Sequence, residues 1–225
     1  MSLTHVRGPL GTEPAGSSSP ALPDGGTTYV EPHPRRIRGV VDGVAVIDTE
    51  RALLVHRPGR TLQYAFPADA VADLPSEPAP LSPGFVTVPW DAVDTWTEEG
   101  RELVHYPPNP YHRVDCRPGD RRLRVEVAGE VLVDADRTVA LFETGLAPRL
   151  YVEPGLVRTD LLRRSSTSTY CNYKGWATYW DAVVDGSIVA DVAWSYEEPL
   201  AESTAIAGHL SFDAARAAVV AELPG

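Results

Sequence analysis

The residues best suited to chemistry fall in one run, Thr167-Ser168-Thr169-Tyr170-Cys171-Asn172-Tyr173-Lys174-Gly175-Trp176-Ala177-Thr178-Tyr179-Trp180. It holds one of two cysteines, three tyrosines, two tryptophans and the only lysine of the chain, the other 19 bases being arginine. Where arginine serves every generic cationic position, a single lysine points to a task a guanidinium does not fit. An ammonium is a compact point donor that loses its proton when desolvated, whereas a guanidinium is a permanently charged fork. Lys174 could anchor an anionic substrate, stabilise an oxyanion or form an imine; alternatively it pairs with Glu143, Glu197 or Glu198 as a structural cation. Cys171 could act as a nucleophile if Lys174 favours its thiolate, or sit as a small buried hydrophobe.

Glu143 and Arg149 flank a turn at Gly145, and Glu197 follows Trp194-Ser195-Tyr196. A carboxylate beside tryptophan is a candidate general acid or base, and it can equally cap a turn. Tyr173 is a candidate hydrogen-bond donor. Tyr151, Tyr179, Trp180, Trp194 and Tyr196, with Arg149, have the makeup of a pocket wall, although aromatics in a small β domain first of all form core. His209 could pair with Cys171, but no histidine or cysteine pair has metal-ligand spacing, and neither metal nor cofactor is expected.

The elements that must position these residues are strands. Apolar residues recur at every second position, Leu123, Val125 and Val127, then Val131 and Val133, on either side of Ala128-Gly129, and period two is the mark of a strand. Similar stretches occur at Ala52–Val55, Thr138–Phe142, Ala177–Val184 and Ile188–Trp194, the last two joined by Asp185-Gly186, a hairpin turn. Ala214–Glu222 reads as the one helix candidate, with Val219 and Val220 arguing for a short strand instead.

An internal repeat at an offset of 86 residues organises the chain. Arg35-Arg36-Ile37-Arg38 matches Arg121-Arg122-Leu123-Arg124, Gly43 matches Gly129, Val46-Ile47-Asp48 matches Leu132-Val133-Asp134, and Arg51 matches Arg137. The expectation is a flexible Gly/Ser/Pro-rich tail over residues 1–32, a first, degenerate β domain with a linking segment over 33–118, and a second β domain over 119–225. The Thr167–Trp180 run has no counterpart in the first copy, where Pro75–Gly84 forms a Pro-rich break. The second copy is therefore the better place for a site.

Composition removes other classes. The 225 residues include 31 acids against 20 bases, a formal charge of −11, which argues against nucleic acid as a partner because phosphate binding needs a basic face. No apolar run approaches a membrane span and no secretory leader is evident, so a cytoplasmic location without membrane contact is expected. Two cysteines make no disulfide framework.

Several stretches resemble the family known as domain of unknown function 427: Phe142-Glu143-Thr144-Gly145, Cys171-Asn172-Tyr173-Lys174-Gly175 with Tyr179-Trp180, and Asp191-Val192-Ala193-Trp194-Ser195-Tyr196 with Ile206-Ala207-Gly208. The resemblance covers nearly all of residues 120–212, and Val104–Arg124 resembles the linking portion of its tandem members. It implies a mainly β protein of two tandem small domains of the β-tent, Mss4-like type without zinc. The family usually has Pro after the motif cysteine, where this chain has Asn172. A nucleotidyltransferase label attaches to the family in places, but the sequence has no Gly-rich phosphate loop and no paired aspartates on a strand to support it.

Taken together, these residues point to a cofactor-independent enzyme with a small-molecule pocket in the second domain. Its chemistry is polar catalysis of the hydrolysis, cyclisation, isomerisation or group-transfer kind. Lys174 is the electrostatic or covalent centre, Glu197 or Glu143 the proton shuttle, Tyr173 a donor and Cys171 a nucleophile candidate. The alternatives are a non-catalytic small-molecule-binding domain and a protein-interaction module, with a homodimer as one form of partner.

Overall fold

The computed structural model describes residues 3–222 except 5 and 72, and the protein is mainly β. Among the described residues, helical structure is confined to five 3-10 segments, and no helix is long and apolar enough to cross a membrane. The chain forms two compact units, the first ending at His112 and the second beginning at Arg113.

The first unit contains β1 (Tyr29–His33), β2 (Ile37–Val41), β3 (Val44–Thr49), β4 (Ala52–His56), β5 (Gln63–Pro67), β6 (Glu77–Pro78), β7 (Phe85–Thr87), β8 (Thr95–Glu98) and β9 (Arg101–Leu103). They make two sheets in the orders β1-β4-β5-β7-β6 and β3-β2-β8-β9. The core between them is built on Ile37, Ile47, Leu54, Phe66 and Trp96.

The second unit contains β10 (Val114–Gly119), β11 (Leu123–Val127), β12 (Glu130–Ala135), β13 (Thr138–Glu143), β14 (Arg149–Tyr151), β15 (Leu162–Cys171), β16 (Gly175–Val184), β17 (Ser187–Ser195), β18 (Leu210–Phe212) and β19 (Ala218–Ala221). Its sheets run β10-β13-β14, β12-β11-β19 and β15-β16-β17-β18.

The 86-residue spacing extends to backbone pairing. Tyr29 faces His56 in β1–β4, and Asp115 faces Phe142 in β10–β13. Leu53 faces Ala65, and Val139 faces Tyr151. The β2–β3 hairpin slips register between Gly39 and Val40, and the β11–β12 hairpin slips between Val125 and Glu126. Both hairpins turn on two left-handed residues, Asp42-Gly43 and Ala128-Gly129, the φ signs that match the right-handed twist of the flanking strands.

The units part after β14. The first continues through a short connection to β7 and β8, which pair with β5 and β2. The second adds β15, β16 and most of β17 before returning through Leu210, bridged to Val152, and through β19, paired with β11. The second half of the Ala214–Glu222 region is thus strand, at Ala218–Ala221. Val219 and Val220 suit the pleat, and the edge of β11 supplies the hydrogen bonds that a lone segment lacks.

Two apolar clusters fill the second unit. One joins Leu123, Val125, Leu132, Val152, Val192 and Phe212. The other joins Leu141, Tyr151, Tyr173, Ala177, Tyr196 and Ile206, with Cys116, Cys171, Tyr179 and Trp194 at its margin. The second cluster carries the site.

Candidate functional site

Side chains two apart on a strand share a face, and three strands of the second unit each use such a pair to wall one cavity. β13 contributes Leu141 and Glu143, β14 contributes Arg149 and Tyr151, and β17 with the residue after it contributes Trp194 and Tyr196. Leu150, between Arg149 and Tyr151, and Ala193, just before Trp194, point the other way, into the core around Val125. Tyr179 enters from β16, where it faces Trp194 across the strands. The cavity is about 540 Å³, within the range of small-molecule sites.

Lys174 reaches this cavity from the turn between β15 and β16, which closes at the Cys171–Gly175 pair. Gly175 has φ +94°, and a Cβ there would lie 3.4 Å from the Glu198 carbonyl oxygen. The Leu200 amide donates to the Lys174 carbonyl at 3.1 Å, holding the turn from behind. The ammonium donates to Glu143 Oε2 in a close ion pair, with both side chains only 8% exposed. Its Nζ also lies 5.8 Å from the centre of the Tyr196 ring. Burial raises the electrostatic worth of such a pair and equally the cost of leaving either charge alone.

Arg149 lies over the Trp194 ring, 5.3 Å from its centre. The Trp194 indole N–H donates to the Tyr151 hydroxyl at 3.0 Å, and the two rings meet edge to face. Burial pushes the phenols of Tyr151 and Tyr196 well above their ordinary value, so both remain protonated.

A second polar group meets the same cavity. Asp191, left-handed at φ +50°, accepts from Ser165 Oγ at 2.6 Å and Thr167 Oγ1 at 2.9 Å. Its amide donates to Asp181 Oδ1 at 2.9 Å, and Asp181 pairs with Arg163 at 2.8 Å. Arg216 lies 3.2 Å from Asp213 and 3.9 Å from Asp191. Thr167 opens the run rich in chemistry, whereas residue chemistry in the sequence does not single out Asp191, Asp213 or Arg216. The bulge between Trp180 and Ala182 brings Asp191 inward, and a bulge leaves no period-two signal.

Of the residues the sequence singles out, Lys174, Glu143, Arg149, Tyr151, Tyr179, Trp194 and Tyr196 line one cavity. Cys171 and Tyr173 do not line it and pack instead in the apolar cluster behind it. Trp180 has the opposite strand parity from Tyr179, packs on the other core, and donates to Ser195 Oγ at 3.4 Å. Glu197 is exposed, 3.2 Å from Arg164, with the Thr178 hydroxyl donating to it at 3.3 Å. His209 lines a separate cavity of about 290 Å³ with Arg137 and Glu153. Among the described residues no cluster of three or more His, Cys, Asp or Glu side chains is arranged to hold a metal ion.

Residues 115–222 match the model of the family described as domain of unknown function (DUF427). The second part of the chain belongs to the DUF427 family. The match runs from β10 through β19 and so takes in every lining residue of the cavity, whereas the first unit lies outside it. No curated protein matches the chain. In the first unit the position 86 residues before Glu143 is Arg57, and the position before Arg149 is Gln63; these two hydrogen-bond to each other. The acid of the DUF427 cavity is thus replaced there by a base.

Proposed function

We propose that the DUF427 unit is a small-molecule enzyme whose cavity carries out polar chemistry on a small organic metabolite, by hydrolysis, cyclisation, isomerisation or group transfer. The observation that carries this reading is the buried Lys174–Glu143 pair facing an aromatic-walled cavity. An ammonium held in a low-dielectric wall stabilises charge developing on a substrate oxygen, because its position needs no reorganisation during the reaction. Glu143 is the proton acceptor of the pair, and Tyr196 completes the wall beside the ammonium. Cys171, Tyr173 and Glu197 do not line the cavity, and the proposed chemistry is written without them.

The second reading is a binding domain without catalysis. It is favoured by the close satisfaction of Lys174 by Glu143, which is also how a structural ion pair looks. A thermal-unfolding screen against a metabolite panel tests both, because a ligand that binds only the folded state raises its midpoint. The proteins compared are wild type and the charge-free double variant Lys174→Met/Glu143→Gln. Enzyme chemistry predicts that compounds stabilising wild type are also converted by it, as read by NMR of the mixture, and are left unconverted by the double variant. Stabilising compounds that wild type leaves unchanged favour the binding domain, and a panel with no stabilising compound refutes both.

A further inference from the structure

The charged groups of the DUF427 cavity are not equally spent. Glu143 is taken by Lys174, Asp213 by Arg216, and Asp191 by the hydroxyls of Ser165 and Thr167. The Tyr179 hydroxyl shares a hydrogen bond with Thr169 at 3.1 Å. Arg216, besides its two carboxylates, donates to the Ala190 carbonyl at 2.6 Å. Every carboxylate in the wall therefore has a partner from the protein.

The donors tell a different story. Arg149 lines the cavity and, among the described residues, forms no ion pair; its one close neighbour of note is the face of Trp194. A guanidinium stacked on an indole keeps its N–H edge free for a planar, two-oxygen partner. The Tyr151 hydroxyl accepts from Trp194, which leaves its own proton to give. The Tyr196 hydroxyl makes no hydrogen bond among the described residues, although the residue is only 6% exposed. One unpaired cation and two unspent phenolic protons thus converge on a cavity whose acceptors are occupied. Beside them Leu141, Tyr179 and Trp194 provide apolar wall.

We infer that the cavity selects a small organic monoanion, a carboxylate on a flat apolar body, gripped by Arg149 with the hydroxyls of Tyr151 and Tyr196. The inference rests on the reading above only in taking this cavity as a ligand site. A cationic ligand would meet an unpaired guanidinium and find no free carboxylate. A neutral apolar one would leave the buried phenols of Tyr151 and Tyr196 without an acceptor, at the cost that unmet buried polar groups carry, and would give the solvent-reaching Arg149 nothing to grip.

The test uses the full chain and two matched probe pairs at neutral pH, phenylacetate with phenylacetamide and 3-phenylpropionate with its amide. Affinity is read by calorimetry and by protein NMR shifts. The acids are expected to bind about tenfold or more tightly than their amides, the ratio that a charge-assisted bond of about 1.4 kcal/mol gives. Arg149→Met, which keeps an apolar stem over Trp194, should remove that preference and leave amide binding unchanged. Tyr196→Phe should weaken the acids several-fold, and unfolding midpoints confirm that both variants fold. Acids and amides of equal affinity, acid binding indifferent to Arg149→Met, or no acid binding at all would each overturn the inference. If amides or other neutral compounds bind while acids do not, anion selection fails and the small-molecule site survives. If acids bind through Arg149 yet no stabilising metabolite is ever converted, anion selection survives and the catalytic reading fails.

Discussion

The ion pair between Lys174 and Glu143 permits a quantitative prediction, because both side chains are only 8% exposed and removal of either leaves the other charge buried. Breaking a buried pair by removing one partner costs roughly 3–5 kcal/mol, whereas replacing both by neutral groups of similar volume is often neutral. Lys174→Met and Glu143→Gln should each destabilise the second unit by about 3 kcal/mol, and the double variant should recover to within about 1 kcal/mol of wild type. The coupling across the double-mutant cycle would then be about 5 kcal/mol, above the roughly 0.5–3 kcal/mol usual for residues in contact. At 4–8 °C per kcal/mol for a domain near this size, each single variant lowers Tm by roughly 12 °C or more. Urea unfolding followed by Trp fluorescence measures the free energies, and calorimetry assigns the transition to a unit. A single variant within about 1 kcal/mol of wild type refutes the reasoning, since it would mean that water reaches the pair and that the cavity wall is not the low-dielectric setting the proposed chemistry needs.

Three further outcomes follow from the same structure. In the first unit, burial alone would raise the Glu98 carboxyl, but hydrogen bonds from His33 at 2.9 Å, Tyr64 at 2.6 Å and Arg35 outweigh it and bring the group down to about 2. A carboxylate depressed in the folded state stabilises above its unfolded value of 4.5 and loses that contribution as pH falls toward 2. Wild type should therefore lose on the order of 3 kcal/mol between those limits, and Glu98→Gln should flatten this part of the acid-unfolding profile; an unchanged profile counts against the assignment. Gly175→Ala forces a side chain onto φ +94° beside the Glu198 carbonyl, so it should cost about 1–3 kcal/mol and loosen the turn carrying Lys174. Hydrogen exchange of the Leu200 amide reads that loosening, and protection equal to wild type would contradict it. Burial, with Asp115 adding to it and Lys174 opposing, pushes the Cys116 thiol above its ordinary value. At pH 7.5 Cys116 should react with iodoacetamide more slowly than a free thiol, as peptide mapping would show, and a rate equal to free cysteine would exclude this.

Much of the fold is legible because strands write themselves as alternation. Leu123, Val125 and Val127 face one core whichever residues pair with them, and Gly129 and the Asp185-Gly186 pair mark left-handed turns because few residue types take that backbone readily. The repeat at 86 residues is legible for the same reason: local pattern survives when the pairing it produces survives. The parity of Arg149 with Tyr151 and of Trp194 with Tyr196 is also written in the chain, and these pairs stand together in the cavity.

Other features depended on what each strand met. Ala218–Ala221, the second half of 214–222, became strand because β11 offered an edge, a choice that the local sequence left balanced between helix and strand. Trp180 and Glu197 have the residue types of a site, yet the register of β16 and the end of β17 turn one to the opposite core and the other to Arg164. Asp191 and Arg216 entered the cavity through a bulge and a return segment that carry no periodic mark. That Lys174 meets Glu143, 31 residues earlier in the chain, rather than Glu197 or Glu198, is decided by the turn locked at Leu200. Amino-acid types and spacing determined which residues could do chemistry and which faces would be apolar, because those are properties of a few consecutive residues. Only tertiary structure decided which charges are spent and which are free, because neutralisation is a matter of distance between strands that the chain brings together from far apart.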